Sequence, residues 1–358
     1  MAEVEHRADT TTITTTQQSH NNTSSFIFTC FGAFLNVTDN PSRKVAKQVQ
    51  STLTAINTHG QSVFTDIPVH ELEVSKDYVL KYFDDMYHQL EADLRTQQQQ
   101  QSTDTSSSSP PPTVFLIHFG VHRCASHIHI ERRGLNCAHY HPGPDANGFL
   151  CQNQPILTPP SSSGSTSSTP AVEFFPPATN SKLWSAVGST LAQNLSPVSV
   201  LRGGANSSNT GDSAADDNLR LIRGFIETPI SLKWVEDTCR EVNSAIYGGD
   251  DVDDKNTTSG LAGSNDQRQK MVELKPSHDA GQYLCNTALF CSLAVTTTLQ
   301  QQQQATAAPK ENTDTPTTSP RYVSLFIHVV NEEVLAVDRQ AALVSAFLLK
   351  LQQTTSFL

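Results

Sequence analysis

Two stretches of the chain are apolar almost from end to end, VFLIHFG at 114–120 and YVSLFIHVV at 322–330. A strand with one wet face alternates, but a strand covered on both faces has no polar side to show. These runs therefore read as inner strands of a largely parallel sheet with helices on both sides, which puts the chain in the α/β class. FIFTC (26–30) reads as a further strand, as do SVFTDIPV (62–69), HIHIE (127–131) and MVELK (271–275). Amphipathic stretches lie between them. Asn40-Pro41-Ser42 starts one helix, running to about Ile56, because Asn can cap free N–H groups and Pro fits the first turn. Ser75 caps a second, with Val79, Leu80, Phe83 and Met86 at helical spacing, and Leu232, Val235, Cys239 and Val242 mark a third. Ala280–Leu299 and Glu332–Leu351 complete the expected helices, and no internal repeat is visible.

Length overstates the folded part. Of 358 residues only 37% are hydrophobic and 7% aromatic, and runs of Ser, Thr, Gln and Pro cannot bury enough apolar area to offset their ordering entropy. Residues 1–24 are expected to be a disordered tail. Residues 25–352 are expected to form one α/β domain, with disordered inserts near 97–112, 158–171, 203–216, 248–266 and 299–319. A formal charge of −11 without a basic patch disfavours nucleic acid or an anionic membrane as partner. No stretch approaches a membrane span and the first residues lack the apolar core of a secretory signal, so a soluble, cytoplasmic protein is expected. Seven cysteines at irregular spacing then read as reduced thiols rather than a disulfide framework.

Three residues carry candidate chemistry. Cys285 stands where a polar turn containing Gly281 passes into an apolar helical run, and a thiol near a helix N-terminus is drawn toward the nucleophilic thiolate. His328 is a polar ring inside LFIHVV, an unusual place unless both nitrogens are satisfied. Glu131, ending HIHIE, is a carboxylate able to hold an imidazole in one tautomer. Taken singly, each also reads plainly: a small buried hydrophobe, a core histidine bonded to backbone, a strand-end surface charge.

In chain order these residues sit in blocks that resemble the pyroglutamyl-peptidase I family. FTCFGAFLNVTDNPS resembles the family's Thr-Gly-Phe-Gly-Pro-Phe-Gly run with its following Asn-Pro-Ser, and VFLIHFGV resembles its His-Val-Gly-Val strand and turn. IHIERRGLN resembles the segment around the catalytic Glu, SHDAGQYLCN the Asp-Ala-Gly-Arg-Tyr-Leu-Cys block, and LFIHVV the Phe-Val-His-Val strand; FTDIPV is a weaker match. The resemblance implies a single αβα domain with a mostly parallel twisted sheet, interrupted here by low-complexity insertions. It implies a cysteine omega-peptidase that hydrolyses the amide bond after an N-terminal pyroglutamate. Cys285 would be the nucleophile, His328 the general base and acid, and Glu131 the group orienting His328. Phe31, Phe34, Tyr283 and Leu284 match residues lining the lactam pocket, Asn40 matches an Asn near it, and the backbone of Val121 matches the turn that bonds the lactam amide. Plain core packing or, for Asn40, helix capping accounts for the same residues. No metal or organic cofactor is implied, the partners are N-terminally pyroglutamylated peptides, and oligomeric state is not readable.

The chain departs from the pattern at Cys30 and Leu35, which stand where Gly is usual, at Ala33 in place of Pro, and at Val330 in place of the Pro after the His. Leu35 in particular could reshape the loop presenting Phe34. GPDANGFLC matches the family's Asp-Asn segment only loosely. A catalytically impaired relative that binds or scaffolds is therefore a second reading. A metal-binding module is a third, drawn from His118, His122, Cys124, His127, His129, Cys137, His139, His141 and Cys151, although these lack paired zinc-ligand spacing.

Overall fold

The computed structural model describes residues 24–34, 37–57, 66–101, 112–122, 124–138, 143–151, 156, 196–197, 224–247, 271–281, 283–306 and 321–354. The two apolar runs are neighbouring strands, β3 (Thr113–Val121) and β9 (Arg321–Val329), paired in parallel along their whole length. Around them stand β1 (Ser25–Phe31), β2 (Val69–Leu72), β4 (Ile128–Glu131) and β8 (Leu274–Ser277), in the order β2-β1-β3-β9-β4-β8. Four of the five pairings are parallel; β4 alone runs antiparallel to its neighbour β9. A three-stranded sheet of β5 (Arg133–Leu135), β6 (Ser196–Pro197) and β7 (Gly224–Glu227) is separate from this one.

Strand periodicity sorts side chains onto two apolar layers. Phe26, Phe28, Phe115, Ile117, Ile130, Leu325 and Ile327 pack on one face, with Val45 and Val49 of α1 (Pro41–Asn57), Val235 of α3 (Leu232–Tyr247) and Phe347 of α5 (Val337–Thr354). Ile27, Phe31, Leu116 and Phe326 pack on the other, with Phe83 and Met86 of α2 (Lys76–Gln101) and Leu289 and Leu293 of α4 (Leu284–Thr306). The architecture is an α/β fold of three αβα layers. No helix among the described residues is long and apolar enough to cross a membrane.

Local chemistry sets the helix starts. Asn40 Oδ1 accepts from the Ser42 N–H at 3.1 Å with Pro41 in the first turn, and the hydroxyls of Ser75 and Ser231 accept from Tyr78 N–H (3.3 Å) and Trp234 N–H (3.2 Å).

Several boundaries move from the sequence expectation. The second strand is Val69–Leu72 rather than 62–69; of the expected stretch, 62–65 lie outside the described residues and 66–68 are not strand. The strand expected at 271–275 is Leu274–Ser277, because its extent is fixed by its four-residue partner β4. The helix expected from Ala280 begins at Leu284, since Gly281 at φ +72° is turn backbone that a helix cannot use. The last helix starts at Val337, after a turn at 332–334. Both Gln runs, placed by composition in disordered inserts, extend helices: Gln97–Gln101 end α2, and α4 continues through its Gln run to Thr306. Gln is a good helix former, and Gln300 donates to the Tyr322 carbonyl (2.7 Å) while Gln302 donates to the Tyr87 hydroxyl (2.6 Å). Residues 1–23 of the expected tail, and the expected inserts at 102–111, 158–171, 203–216, 248–266 and 307–319, lie outside the described residues.

Candidate active site

The antiparallel pairing of β4 with β9 builds the centre of the site. Its register sets His129 opposite His328 and Glu131 opposite Phe326, so Glu131 is the diagonal neighbour of His328 on one face of the sheet. Glu131 is fully buried and accepts a hydrogen bond at 2.9 Å from Nδ1 of His328, itself 3% exposed. With Nδ1–H given to the carboxylate, Nε2 is the nitrogen left for a second partner.

That partner is Cys285. It is the second residue of α4, half-buried, and close enough to His328 to act on its proton affinity. Burial alone would lower the proton affinity of His328; the Cys285 charge and the hydrogen bonding of the ring to Cys285 and Glu131 outweigh it and raise the pKa to about 9. The thiol lies over Gly120, where a Cβ would stand 2.9 Å from Sγ and 2.6 Å from the Phe326 ring. Glycine at 120 is what lets the Cys285 thiol approach the sheet. Burial pushes the Cys30 and Cys239 thiols up to about 12 and Cys137 up to about 11, so these stay protonated at neutral pH. None of the seven cysteines is in a disulfide.

The expected lining residues fall on the same side of the sheet, with one exception. Phe31 and Leu284 are buried in the layer between the sheet and α4, and Phe34, Tyr283 and Cys285 pack against it. The Phe34 and Tyr283 rings stand 6.1 Å apart and tilted by 47°. Val121 turns its side chain to the opposite layer, so its backbone is what it can offer the site. Asn40 caps α1 and donates to the Gly32 carbonyl at 3.0 Å, bracing the segment that leads to Phe34.

Other features were not anticipated. Asn286, next to Cys285 and fully buried, donates to the carbonyls of Leu135 (2.9 Å) and Cys137 (2.7 Å) and accepts from Leu135 N–H (2.8 Å), tying the start of α4 to the segment after β4. Asp145 in GPDANGF accepts from the backbone N–H of Lys76, Asn147 and Phe149, and the Tyr283 hydroxyl donates to the Pro144 carbonyl at 2.7 Å. The loosely matched segment thus bridges the start of α2 and the residue two before Cys285. A side-chain amide directly after Cys285, at the entry to an apolar helical run, is the sequence signal that could have flagged Asn286.

The departures also resolve. Cys30 is buried inside β1 and Ala33 is exposed, while Leu35 lies outside the described residues. Val330 supplies an N–H that Pro would lack, donated to Oε1 of the fully buried Gln340 at 3.0 Å. His118 is not a ligand. It is buried between Thr29 Oγ1 (2.7 Å) and Ser324 Oγ (3.4 Å), and burial pushes its pKa down to about 3. Among the described residues no group of three His, Cys, Asp or Glu could hold a metal; His139 and His141 lie outside them.

No family model matches the chain, and no curated protein matches it. Among solved structures it is similar to pyrrolidone carboxyl peptidase from Thermus thermophilus, with 15% identity over 90% of this chain and 98% of that one and a TM-score of 0.41. It is likewise similar to pyrrolidone carboxyl peptidase from Fervidobacterium islandicum AW-1 (15% identity, 94% and 100% covered, TM-score 0.40) and from Thermococcus litoralis (12%, 92% and 96%, 0.39).

Proposed function

We propose that this chain is a cysteine peptidase that removes an N-terminal pyroglutamate from peptides. The observation that carries the reading is the chain of contacts from buried Glu131 through His328 to Cys285 at the start of a helix. That is the arrangement of an activated thiol with its base held by a third group. The specificity for a pyroglutamyl acyl group rests on the sequence resemblance and on an apolar aromatic lining suited to a flat uncharged lactam.

In this reading His328 takes the thiol proton, and the Cys285 thiolate attacks the carbonyl joining pyroglutamate to the next residue. The tetrahedral intermediate collapses by breaking the C–N bond as His328 protonates the departing amine, leaving a thioester. Water then adds to the thioester with its proton passing to His328, and loss of the thiolate releases pyroglutamic acid. Backbone N–H groups beside Cys285 at the start of α4 are suited to the oxyanion. Glutamine or glutamate at the same position would bring polar atoms that find no partner in an apolar lining. A thiol nucleophile needs reducing conditions, and we place the protein in the cytoplasm on that ground.

The test is release of a fluorophore from a pyroglutamyl amide in reductant, beside Cys285→Ala and a prolyl amide. Turnover that vanishes in the variant and with the prolyl compound supports the reading. Absence of turnover by folded wild-type protein would favour the binding-only relative.

A further inference from the structure

The carboxylate that holds His328 faces two imidazoles. Glu131 Oε1 lies 2.9 Å from His328 Nδ1 and 3.7 Å from His129 Nδ1, while its Oε2 is buried with no hydrogen-bond partner. The arrangement follows from the sheet: a period of two puts His129 and Glu131 on one face of β4, and the antiparallel register sets His129 directly across from His328. His122, just after β3, stands edge-on to His328 at 5.6 Å and to His129 at 5.8 Å between ring centres. We propose that His129 is a positioning residue that competes with His328 for the Glu131 carboxylate: neutral, it leaves Glu131 to His328; protonated, it draws the carboxylate away and loosens the catalytic imidazole. This rests on the Glu131–His328–Cys285 reading above.

The physics has a definite sign. A cation on His129 would attract Glu131 at close range in a buried setting and repel an imidazolium on His328. Both effects reduce the hold on His328 as pH falls. The groups facing His129 are Glu131 on its own strand, His328 on β9, His122 after β3, His127 before β4, and Lys275, its register partner on β8. Lys275 is turned to His127 Nε2 (3.0 Å) and Glu273 (3.5 Å). Burial first, then the neighbouring histidines, lower the pKa of His129 from its usual value, with Glu131 opposing, so the imidazole is neutral at pH 7 and charges on the acid side. His129 is 26% exposed, which lets it exchange protons with solvent while Glu131 cannot.

The experiment compares wild type, His129→Gln and His129→Lys, each shown to be folded by circular dichroism. Two readouts are followed from pH 4.5 to 8: kcat/KM on a pyroglutamyl amide, and the rate of Cys285 alkylation by iodoacetamide, resolved by peptide mass spectrometry. Against its own pH 7.5 value, His129→Gln should retain at least about threefold more activity at pH 5 than wild type does, a shift of roughly half a pH unit or more in the acid limb. The Lys variant, a cation throughout, should lose about tenfold at pH 7.5 relative to Gln. Superimposable acid limbs for wild type and Gln, with Lys and Gln equal at pH 7.5, overturn the inference and leave the peptidase reading standing. Alkylation that shows the His129 step in a protein without pyroglutamyl turnover does the reverse.

Discussion

His328 holds its proton to about pH 9 in the fold, against about 6.5 for an unfolded histidine. A raised folded pKa contributes stability that is fully present below about 6.5 and is lost as pH rises through about 9. Cys285 supplies two of the contributions that raise it, by charge and by hydrogen bond. Urea unfolding at pH 6.5 and pH 9 should therefore show a smaller loss of stability across that window in Cys285→Ala than in wild type; equal losses would mean that the thiol does not hold the His328 proton. A second prediction concerns Val330. Replacing it with Pro deletes the N–H that serves the buried Gln340 oxygen and should cost roughly 1–3 kcal/mol in denaturant unfolding. A variant as stable as wild type would mean that Gln340 finds another donor. At this scale the sequence was least legible. Cys285, His328 and Glu131 each read as ordinary residues alone, and what joins Glu131 to His328 is a register between strands far apart in sequence. His129 was visible only as one member of a His/Cys-rich stretch, for the same reason.

Elements were legible where burial is two-sided or a cap is local. The β3 and β9 runs came out within a residue of their bounds, and Asn40 and Ser75 do start their helices. Misplacements occurred where a partner decides. The short edge strands β2 and β8 extend only as far as β1 and β4 pair with them, and the Gln runs are helical because α2 and α4 are already formed behind them. The element that carries Cys285 is α4, whose first turn is tied down through Asn286. Asn286→Ala removes three hydrogen bonds and leaves the Leu135 N–H and two carbonyls without that partner. It should cost roughly 2–4 kcal/mol and lower kcat/KM through misplacement of Cys285. An unchanged melting temperature would show that packing against the sheet suffices to seat the helix.

Glu131 and His328 meet where β4 and β8 run opposite to the other four strands, so their contact depends on the one antiparallel pairing of the six-stranded sheet. The α/β class was readable from two apolar runs, but the small sheet of β5, β6 and β7 was not, because strands of two to four residues carry no periodicity. That small sheet bears on the Ser/Asn/Gly-rich segment 203–216. Its flanks are held together by the fold, with Ser196 paired to Phe225 and Pro197 to Gly224. Closing a connection costs free energy that grows with its length, by about 0.6 kcal/mol per doubling. Deleting 203–216 roughly halves the connection from Pro197 to Gly224, and composition assigns the segment no core residues to lose. The shortened protein should unfold at an equal or slightly higher denaturant concentration, by about 0.6 kcal/mol, with pyroglutamyl-amide turnover kept. Marked destabilisation would show that the segment packs on the domain, and intact stability with lost turnover would assign it to substrate binding.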